Sequence, residues 1–281
     1  MQGTAAIKIV EPGHTLGFKD LNLNGIAYEA TVASITRKGY AATVTLTEPL
    51  PDGITPDMLA YSKTRASENY VLTNNYVHET KGRGFLMNAD NCLCDGNTFY
   101  RTCSQTLQVR TETPKSHVIE GTGAEHIQIS NNVFTECNFG GRGDVITIES
   151  LLNGERLRNT PLADIRILNN EFHACYQAPV NADNVDGLTV SGNVFRDCTA
   201  YAIGNHCANP VISSNHFFTQ GDCNADGSFN LADVILLQKW LLTDPDTELA
   251  DWRSGDLDRN GVLNAIDLSL MKIELLRSET K

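Results

Sequence analysis

An asparagine-centred repeat runs from Asn69 to Phe218 and restricts the fold more than any other feature of the chain. Its copies include GNTFYRTC, NNVFTEC, NNEFHAC and GNVFRDC, each with an Asn, an aromatic or aliphatic residue and then a Cys. Short alternating stretches such as HIQIS precede the asparagines, which is the period-two pattern of strands. The anchoring residues are 22, 35, 38, 23 and 22 positions apart: Asn75, Asn97, Asn132, Asn170, Asn193 and Asn215. Stacked coils of about 22 residues predict a mostly β chain with a right-handed parallel β-helix over residues 67–219.

The repeat also predicts what fills the turns and the interior of the coils. Equivalent asparagines on successive coils can form a ladder in which each amide bonds to the next turn, and the phenylalanines can stack in the same way. Cys137, Cys175 and Cys198 each follow an anchoring Asn by five residues. Disulfides are the usual expectation for eight cysteines in an extracellular protein. This periodicity instead favours buried thiols, which pack as small apolar groups.

Two segments depart from the regular repeat. The longer steps between asparagines predict inserted loops around residues 110–123 and 143–163, and insertions in a solenoid commonly form its binding face. Residues 1–66 contain short strand-like stretches separated by Gly, Pro and Asn turns. They predict a small β-barrel or sandwich subdomain next to the repeat.

Two calcium-binding loops are predicted near the C-terminus, 34 residues apart. Each carries oxygen side chains at positions 1, 3, 5, 9 and 12, a Gly at position 6, and a residue at position 7 whose carbonyl completes the ligand set. The first loop comprises Asp222, Asn224, Asp226, Ser228, Asn230 and Asp233. The second comprises Asp256, Asp258, Asn260, Val262, Asn264 and Asp267. This pattern predicts two Ca²⁺ ions.

Residues 220–281 resemble a type I dockerin along their whole length. Position 12 is Asp in both loops, no helix precedes the first loop, and an apolar helix follows each one, as LADVILLQKWLL and AIDLSLMKIELL. The resemblance implies an extracellular, cellulosome-bound protein whose partner is a cohesin domain of a scaffold protein. It also implies that loop positions 10 and 11 contribute to the choice of cohesin; these are Leu231, Ala232, Ala265 and Ile266.

The charge distribution agrees with a separate acidic module. Twelve acidic and six basic residues between Gly221 and Lys281 contribute -6, half of the net charge of -12. Such acidity argues against a nucleic-acid partner and is compatible with divalent cations or neutral sugars. No apolar run is long enough to span a membrane. The N-terminus lacks a basic signal-peptide region, so we expect the natural protein to begin upstream of this sequence.

The first 220 residues resemble the C-terminal half of the family 110 glycoside hydrolases, which are α-galactosidases. The resemblance lies in TLTEPLPDGI (45–54), NYVLTNNYVHETKGRGFLMNADNCLCDGNTF (69–99) and HIQISNNVFTECNFGGRGDVITI (126–148). It implies a parallel β-helix with an inserted small barrel, a glycan substrate, and inverting hydrolysis that needs no cofactor.

Inverting hydrolysis requires a general acid and a general base about 6.5–9.5 Å apart. Glu112 and Glu120 are the candidate catalytic residues, because the resemblance implies an acidic catalytic segment where the first inserted loop is predicted. Family members typically carry Asp where this chain has the segment RTET. Arg83 and Asp144 are candidate residues for binding sugar hydroxyls.

Two other functions remain open at this stage. A polysaccharide lyase of the pectate-lyase kind also has a parallel β-helix, but it requires a calcium-binding Asp cluster on regular coils, and none is evident outside the C-terminal loops. A non-catalytic carbohydrate-binding protein or a truncated enzyme is the second alternative. Fold alone does not distinguish these functions, since β-helices support many activities.

Overall fold

The computed structural model describes residues 9–39, 41–113 and 121–278. The N-terminal part forms a four-stranded antiparallel sheet with the order β3-β2-β1-β4. Its strands are β1 (Thr15–Lys19), β2 (Gly25–Lys38), β3 (Ala41–Leu46) and β4 (Leu59–Ser62). One face buries Leu16, Phe18, Ala30 and Val32, which form a small core of their own. The described strands form one sheet, and closure into a barrel stays a prediction.

Three parallel sheets follow, and each takes one strand from each successive coil. Sheet 1 contains β5 (Val71–Thr73), β8 (Cys92–Asp95), β11 (Ala124–Ser130), β15 (Leu162–Leu168), β19 (Thr189–Ser191) and β22 (Val211–Ser213), with β18 (Val185–Asp186) beside β15. Sheet 2 contains β6 (Tyr76–His78), β9 (Thr98–Tyr100), β12 (Val133–Thr135), β16 (Glu171–His173), β20 (Val194–Arg196) and β23 (His216–Phe218).

Sheet 3 completes the coils, and two of its strands are seven residues long, as are two strands of sheet 1. Its strands are β7 (Phe85–Leu86), β10 (Leu107–Thr113), β13 (Ile146–Leu152), β17 (Val180–Ala182) and β21 (Ala202–Ile203), and β14 (Glu155–Arg156) pairs antiparallel with β13. The predicted mostly β fold with parallel sheets is therefore confirmed. The chain returns to the same three sheets in the same order in each coil, which supports the predicted parallel β-helix. We refer to residues 67–219 as the repeat region.

The asparagine ladder is present along the repeat region. At each step the backbone N–H and side-chain Nδ2 of one Asn both donate to Oδ1 of the next, at 2.9–3.0 Å, from Asn75 through to Asn215. Four of these side chains are 0–1% exposed: Asn97, Asn132, Asn170 and Asn193. The ladder satisfies polar groups in the turns that would otherwise be buried without partners.

The phenylalanines and cysteines behave as the periodicity predicts. Rings of Phe99, Phe134, Phe172 and Phe195 stack with centroids 4.7–5.1 Å apart, and all four are at most 1% exposed. All eight cysteines are free thiols, and Cys137 and Cys175 are buried within the same core. Because these groups repeat at equal register, each coil packs on its neighbour through identical contacts.

Two regions predicted as inserted loops contain regular strands. Residues 107–113 form β10 and residues 146–152 form β13, which pair in parallel along seven positions. The loop prediction was wrong for these residues because β10 alternates buried Leu107, Val109, Thr111 and Thr113 with outward Arg110, which is a strand pattern. Residues 114–120, including Glu120, lie outside the described residues.

The C-terminal segment contains three helices: α1 (Leu231–Leu241), α2 (Trp252–Gly255) and α3 (Ala265–Ser278). Asn230 caps α1, and Asp233 completes the capping box by accepting from the Asn230 backbone. Val234 and Leu237 of α1 pack with Met271 of α3 around the buried Cys223. In the part of the chain that the structure describes, no helix has the length and apolar character needed to cross a membrane.

Candidate functional site

The outward face of sheet 3 carries a connected cluster of ion pairs. Arg110 and Glu149 are direct register partners on β10 and β13, and Glu112 lies two residues further along β10. Arg110 Nη2 lies 2.6 Å from Glu112 Oε2, and Arg110 Nε lies 3.8 Å from Glu149 Oε1. The side chains of these residues are 14–24% exposed, so the carboxylates are partly screened from water yet accessible.

The spacing of these two carboxylates follows from their shared partner. Both contact one planar guanidinium, which limits the gap between the contacting oxygens to about 9 Å. Thus two glutamates from adjacent coils face the same volume in front of sheet 3.

Arg156 extends the cluster on the other side of Glu149. Its Nε lies 3.4 Å from Glu149 Oε2, and its Nη1 lies 3.4 Å from Asp183 Oδ2. His206 Nδ1 is 3.1 Å from the same Asp183 oxygen. Burial raises the pKa of Asp183, but hydrogen bonds from His206 and from the Asn184 backbone outweigh it and hold this pKa below its usual range.

A buried amide lies on the same strand without a partner. Gln108 is 0% exposed, and neither its Oε1 nor its Nε2 has a hydrogen-bond partner within residues 9–39, 41–113 and 121–278. It stands two residues before Arg110, whose Nε also lacks a hydrogen bond there. Buried polar groups are nearly always satisfied, and polar groups held unpaired beside carboxylates are suited to a polar ligand.

The sequence-predicted residues occupy different parts of this face. Glu112 belongs to the cluster, although it stands on a strand rather than on the predicted loop. Asp144 precedes β13 and accepts a hydrogen bond of 2.7 Å from Asn181 Nδ2, at the opposite end of the strands from Glu112. Arg83 is exposed and precedes β7 at the edge of sheet 3. Glu120 lies outside the described residues.

The sequence analysis missed Glu149, Arg156 and Asp183. Glu149 lies in ITIESLL, whose alternation of Ile146, Ile148 and Ser150 with outward residues is a strand signal. Because this stretch is predicted as an inserted loop, the pairing that places Glu149 opposite Arg110 is not predicted.

The two C-terminal loops form a second candidate site, and their hydrogen bonds match position by position. The residue at position 1 accepts from the Gly at position 6, at 2.9 Å for Asp222 and Gly227 and at 2.8 Å for Asp256 and Gly261. The Asp at position 12 accepts from the Asn at position 9 at 2.9 Å in both loops. The loops therefore share one backbone conformation, which points their oxygens inward.

The donor set of these loops fits calcium. Four carboxylates are at most 7% exposed: Asp222, Asp233, Asp256 and Asp267. No Lys, Arg or His among the described residues forms a salt bridge with any of them. Carboxylate oxygens of Asp256, Asp258 and Asp267 lie within 4.8 Å of one another, and this is the one such cluster found in the described ranges. Buried carboxylates require a cation, and Ca²⁺ prefers such oxygen ligands.

Residues 220–276 match the family described as the dockerin type I domain. This segment is a type I dockerin. It implies a cohesin partner and an extracellular, cellulosome-bound location, and dockerins of this type bind calcium. The family match covers the two loops and most of α3.

Residues of this chain also align with alpha-1,3-galactosidase A of Shewanella woodyi, at 21% identity over 220 residues and 77% of this chain. The alignment covers 35% of that protein, so this chain spans about a third of its length. The similarity is a distant one and points to a relationship with glycoside hydrolases.

The predicted cohesin-contacting residues of the dockerin are accessible. Leu231 at the start of α1 is 59% exposed, and Ile266 at the start of α3 is 58% exposed. Ala232 and Ala265 beside them are exposed as well. Two equivalent apolar pairs therefore stand on the dockerin surface, each at the beginning of the helix that follows a calcium loop.

The dockerin also packs directly on the repeat region. Arg196 of β20 forms an ion pair with Asp251, and its guanidinium lies 4.4 Å from the centroid of the Phe218 ring. Arg259 pairs with Asp197 at 3.1 Å, and Gln220 Nε2 donates to Leu257 O at 3.1 Å. Burial raises the pKa of the Asp251 carboxyl, but the bonds from Arg196 and Ser254 lower it to a net value below its usual range.

Proposed function

We propose that this protein is a cellulosomal glycoside hydrolase that removes α-galactosyl groups from glycans, with its active site on the outward face of sheet 3. The observation that carries the proposal is the pairing of Glu112 and Glu149 around Arg110. The distant likeness to alpha-1,3-galactosidase A agrees with this chemistry. We further propose that the dockerin holds two Ca²⁺ ions and attaches the enzyme to a scaffold cohesin.

The separation of the carboxylates is compatible with an inverting mechanism, which the likeness to alpha-1,3-galactosidase A leads us to propose. In such a reaction one carboxylic acid protonates the glycosidic oxygen while a carboxylate activates water on the opposite face of the sugar. The gap of up to about 9 Å allowed by their shared guanidinium accommodates the water, which needs a separation of roughly 6.5–9.5 Å. Glu120 remains a further candidate for either role.

Arg110 and Arg156 act as positioning residues in this proposal. Each guanidinium contacts Glu149, from opposite sides, and Arg110 also contacts Glu112. Fixed charges hold the carboxylates in place before substrate arrives, which is the preorganisation on which electrostatic catalysis depends.

The test is hydrolysis of nitrophenyl α-galactoside and of an α-galactosyl disaccharide by Glu112→Gln and Glu149→Gln, with Glu171→Gln as control. Glu171 is an outward carboxylate on sheet 2, paired with His173, so it matches the substitution without touching the site. Loss of the base abolishes both activities. Loss of the acid mainly affects the disaccharide, because nitrophenol leaves without protonation.

We expect one of the two glutamine variants to behave as loss of the base and the other as loss of the acid, with activity reduced at least about 100-fold in each case. Glu171→Gln should leave the activity unchanged. Galactose release by both glutamine variants at the rate of the unaltered protein would contradict the assignment. Affinity for galactosides without any turnover would favour the binding-only alternative.

The attachment is tested by calcium-dependent binding to a panel of type I cohesins. A double variant, Leu231→Asp with Ile266→Asp, places one charge in each of the two exposed apolar pairs. It should weaken binding to the cohesins. Leu242→Asp is the control, since Leu242 is 71% exposed and lies at the far end of α1. Equal binding by all variants would show that the partner contacts another surface.

A further inference from the structure

A cavity of about 460 Å³ lies where the N-terminal sheet meets sheet 3. One wall is the turn between β1 and β2, and the other is the β13–β14 hairpin with the residues that follow it. The lining combines amide, carboxylate and guanidinium groups with two leucines: Asn22, Asn24, Glu155, Arg158, Leu152 and Leu157. Such a mixture of hydrogen-bonding groups and apolar surface suits a polar ligand with hydroxyl groups.

The walls are held in place by side-chain hydrogen bonds. Asp20 accepts from the Asn24 backbone at 2.9 Å and from Asn24 Nδ2 at 2.8 Å, which closes the β1–β2 turn. Asn159 Nδ2 donates to Asn22 O at 2.7 Å and to Asn24 Oδ1 at 3.0 Å, joining the two walls. The cavity is thus defined by contacts between the N-terminal part and the repeat region, and neither part forms it alone.

The cavity adjoins the proposed active site. Arg156 lines it and also contacts Glu149 and Asp183 at 3.4 Å each. The β13–β14 hairpin that forms one wall of the cavity follows directly on β13, the strand that carries Glu149. A molecule bound at the carboxylates would therefore extend into the cavity at the C-terminal ends of β10 and β13.

The side chains that face the cavity are available for a ligand. Asn22, Glu155 and Arg158 are exposed, and Asn159 Oδ1 is a buried acceptor with no partner in the described part of the chain. Glu155 offsets the charge of Arg158, and Arg156, which also lines the cavity, is already paired with Glu149 and Asp183. Every charge of the lining therefore has an opposite charge nearby. Its chemistry fits a neutral pyranose.

We propose that this cavity is the subsite for the sugar on the leaving-group side of the cleaved bond, so that the N-terminal part selects oligosaccharides over simple galactosides. The inference rests on the proposed hydrolase activity. It assigns a binding role to the β1–β2 turn, which carries no catalytic group. Amides and guanidinium of the lining would donate to the hydroxyls of that sugar, and the leucines would contact its apolar edges.

The experiment compares kcat/KM for an α-galactosyl disaccharide with that for nitrophenyl α-galactoside, whose leaving group has no sugar hydroxyls. Asn22→Ala and Arg158→Ala are the test variants, because both side chains are exposed at the cavity. Glu48→Ala is the control, an exposed residue just after β3 and outside the lining. Thermal unfolding of each variant checks that the walls remain folded.

We expect the ratio of the two kcat/KM values to fall about tenfold in Arg158→Ala, as loss of a charge-assisted hydrogen bond predicts, and less in Asn22→Ala. The Glu48→Ala ratio should match that of the unaltered protein. An unchanged ratio in both test variants, with both substrates hydrolysed, overturns the subsite alone. If the unaltered protein hydrolyses neither substrate, the proposed activity fails, and the subsite fails with it.

Discussion

The substitution Asn132→Ala tests the asparagine ladder at a fully buried step. Asn132 Oδ1 accepts from the backbone N–H and the Nδ2 of Asn97, both at 2.9 Å, and its own Nδ2 donates to Cys94 O at 2.9 Å. Removal of the amide leaves the Asn97 N–H and the Cys94 carbonyl without those partners. The site is 0% exposed, so water cannot replace them without opening the coil.

The expected loss of stability follows from the two groups left unpaired. Each costs about 1–3 kcal/mol when buried, so Asn132→Ala should lower the free energy of unfolding by about 4 kcal/mol. Asn75→Ala is the matched control at the exposed end of the same ladder. Removal of the Asn75 side chain leaves Asn97 Oδ1 still bonded to the Asn75 N–H at 2.9 Å. We therefore expect the free energy of unfolding to fall by less than about 1 kcal/mol.

Urea unfolding followed by far-UV circular dichroism measures this difference. Both tryptophans, Trp240 and Trp252, lie in the dockerin, so their fluorescence records the unfolding of that module separately. Asn132→Ala should therefore lower the urea concentration at which the strand dichroism is lost, compared with the unaltered protein. Equal losses for Asn75→Ala and Asn132→Ala would refute the argument, because the ladder would then contribute through its amides in general and not through buried unpaired groups.

Three further outcomes are expected. Chelation of calcium with EDTA should shift the tryptophan emission while the strand dichroism persists, since the metal contributes folding free energy to the dockerin alone; unchanged emission would contradict this. Arg196→Ala leaves Asp251 buried without its partner and should destabilise the dockerin by about 3 kcal/mol in urea monitored by tryptophan fluorescence, unlike the exposed-site control Arg166→Ala. Phe172→Ala should cost the repeat region about 4 kcal/mol by dichroism, and a cost below about 1 kcal/mol would mean that the ring stack is not well packed.

Periodicity made the core of the repeat region predictable from sequence. The equivalents of Asn132 recur at a fixed position in each coil, and those of Phe134 in every coil after the first, where Val77 takes the place of the ring. They recur because each coil must present matching polar and apolar groups to its neighbours. The calcium loops were equally predictable, because coordination of one ion fixes residue types at fixed spacing. In both cases a local physical constraint repeats within the sequence and can be read without knowledge of the fold.

The candidate active site could not be assembled in the same way. Glu112 and Glu149 are 37 positions apart in the chain and come together only through the parallel register of β10 and β13. That register depends on the length of the chain segment between the two strands, and the repeat spacing does not determine this length. The longer intervals predict added loops, whereas part of the added length forms longer strands in sheets 1 and 3.

The junction between the repeat region and the dockerin has a consequence for the assembled complex. Strand β23 ends at Phe218 and the first calcium loop begins at Asp222, so three residues separate the two modules. The Arg196–Asp251 and Arg259–Asp197 pairs then hold the start of α2 and the second loop against the end of β20. A linker of this length with two ion pairs restricts rotation, while both apolar pairs at the helix starts stay exposed. A cohesin bound at either pair would thus hold the face of sheet 3 in a defined direction relative to the scaffold.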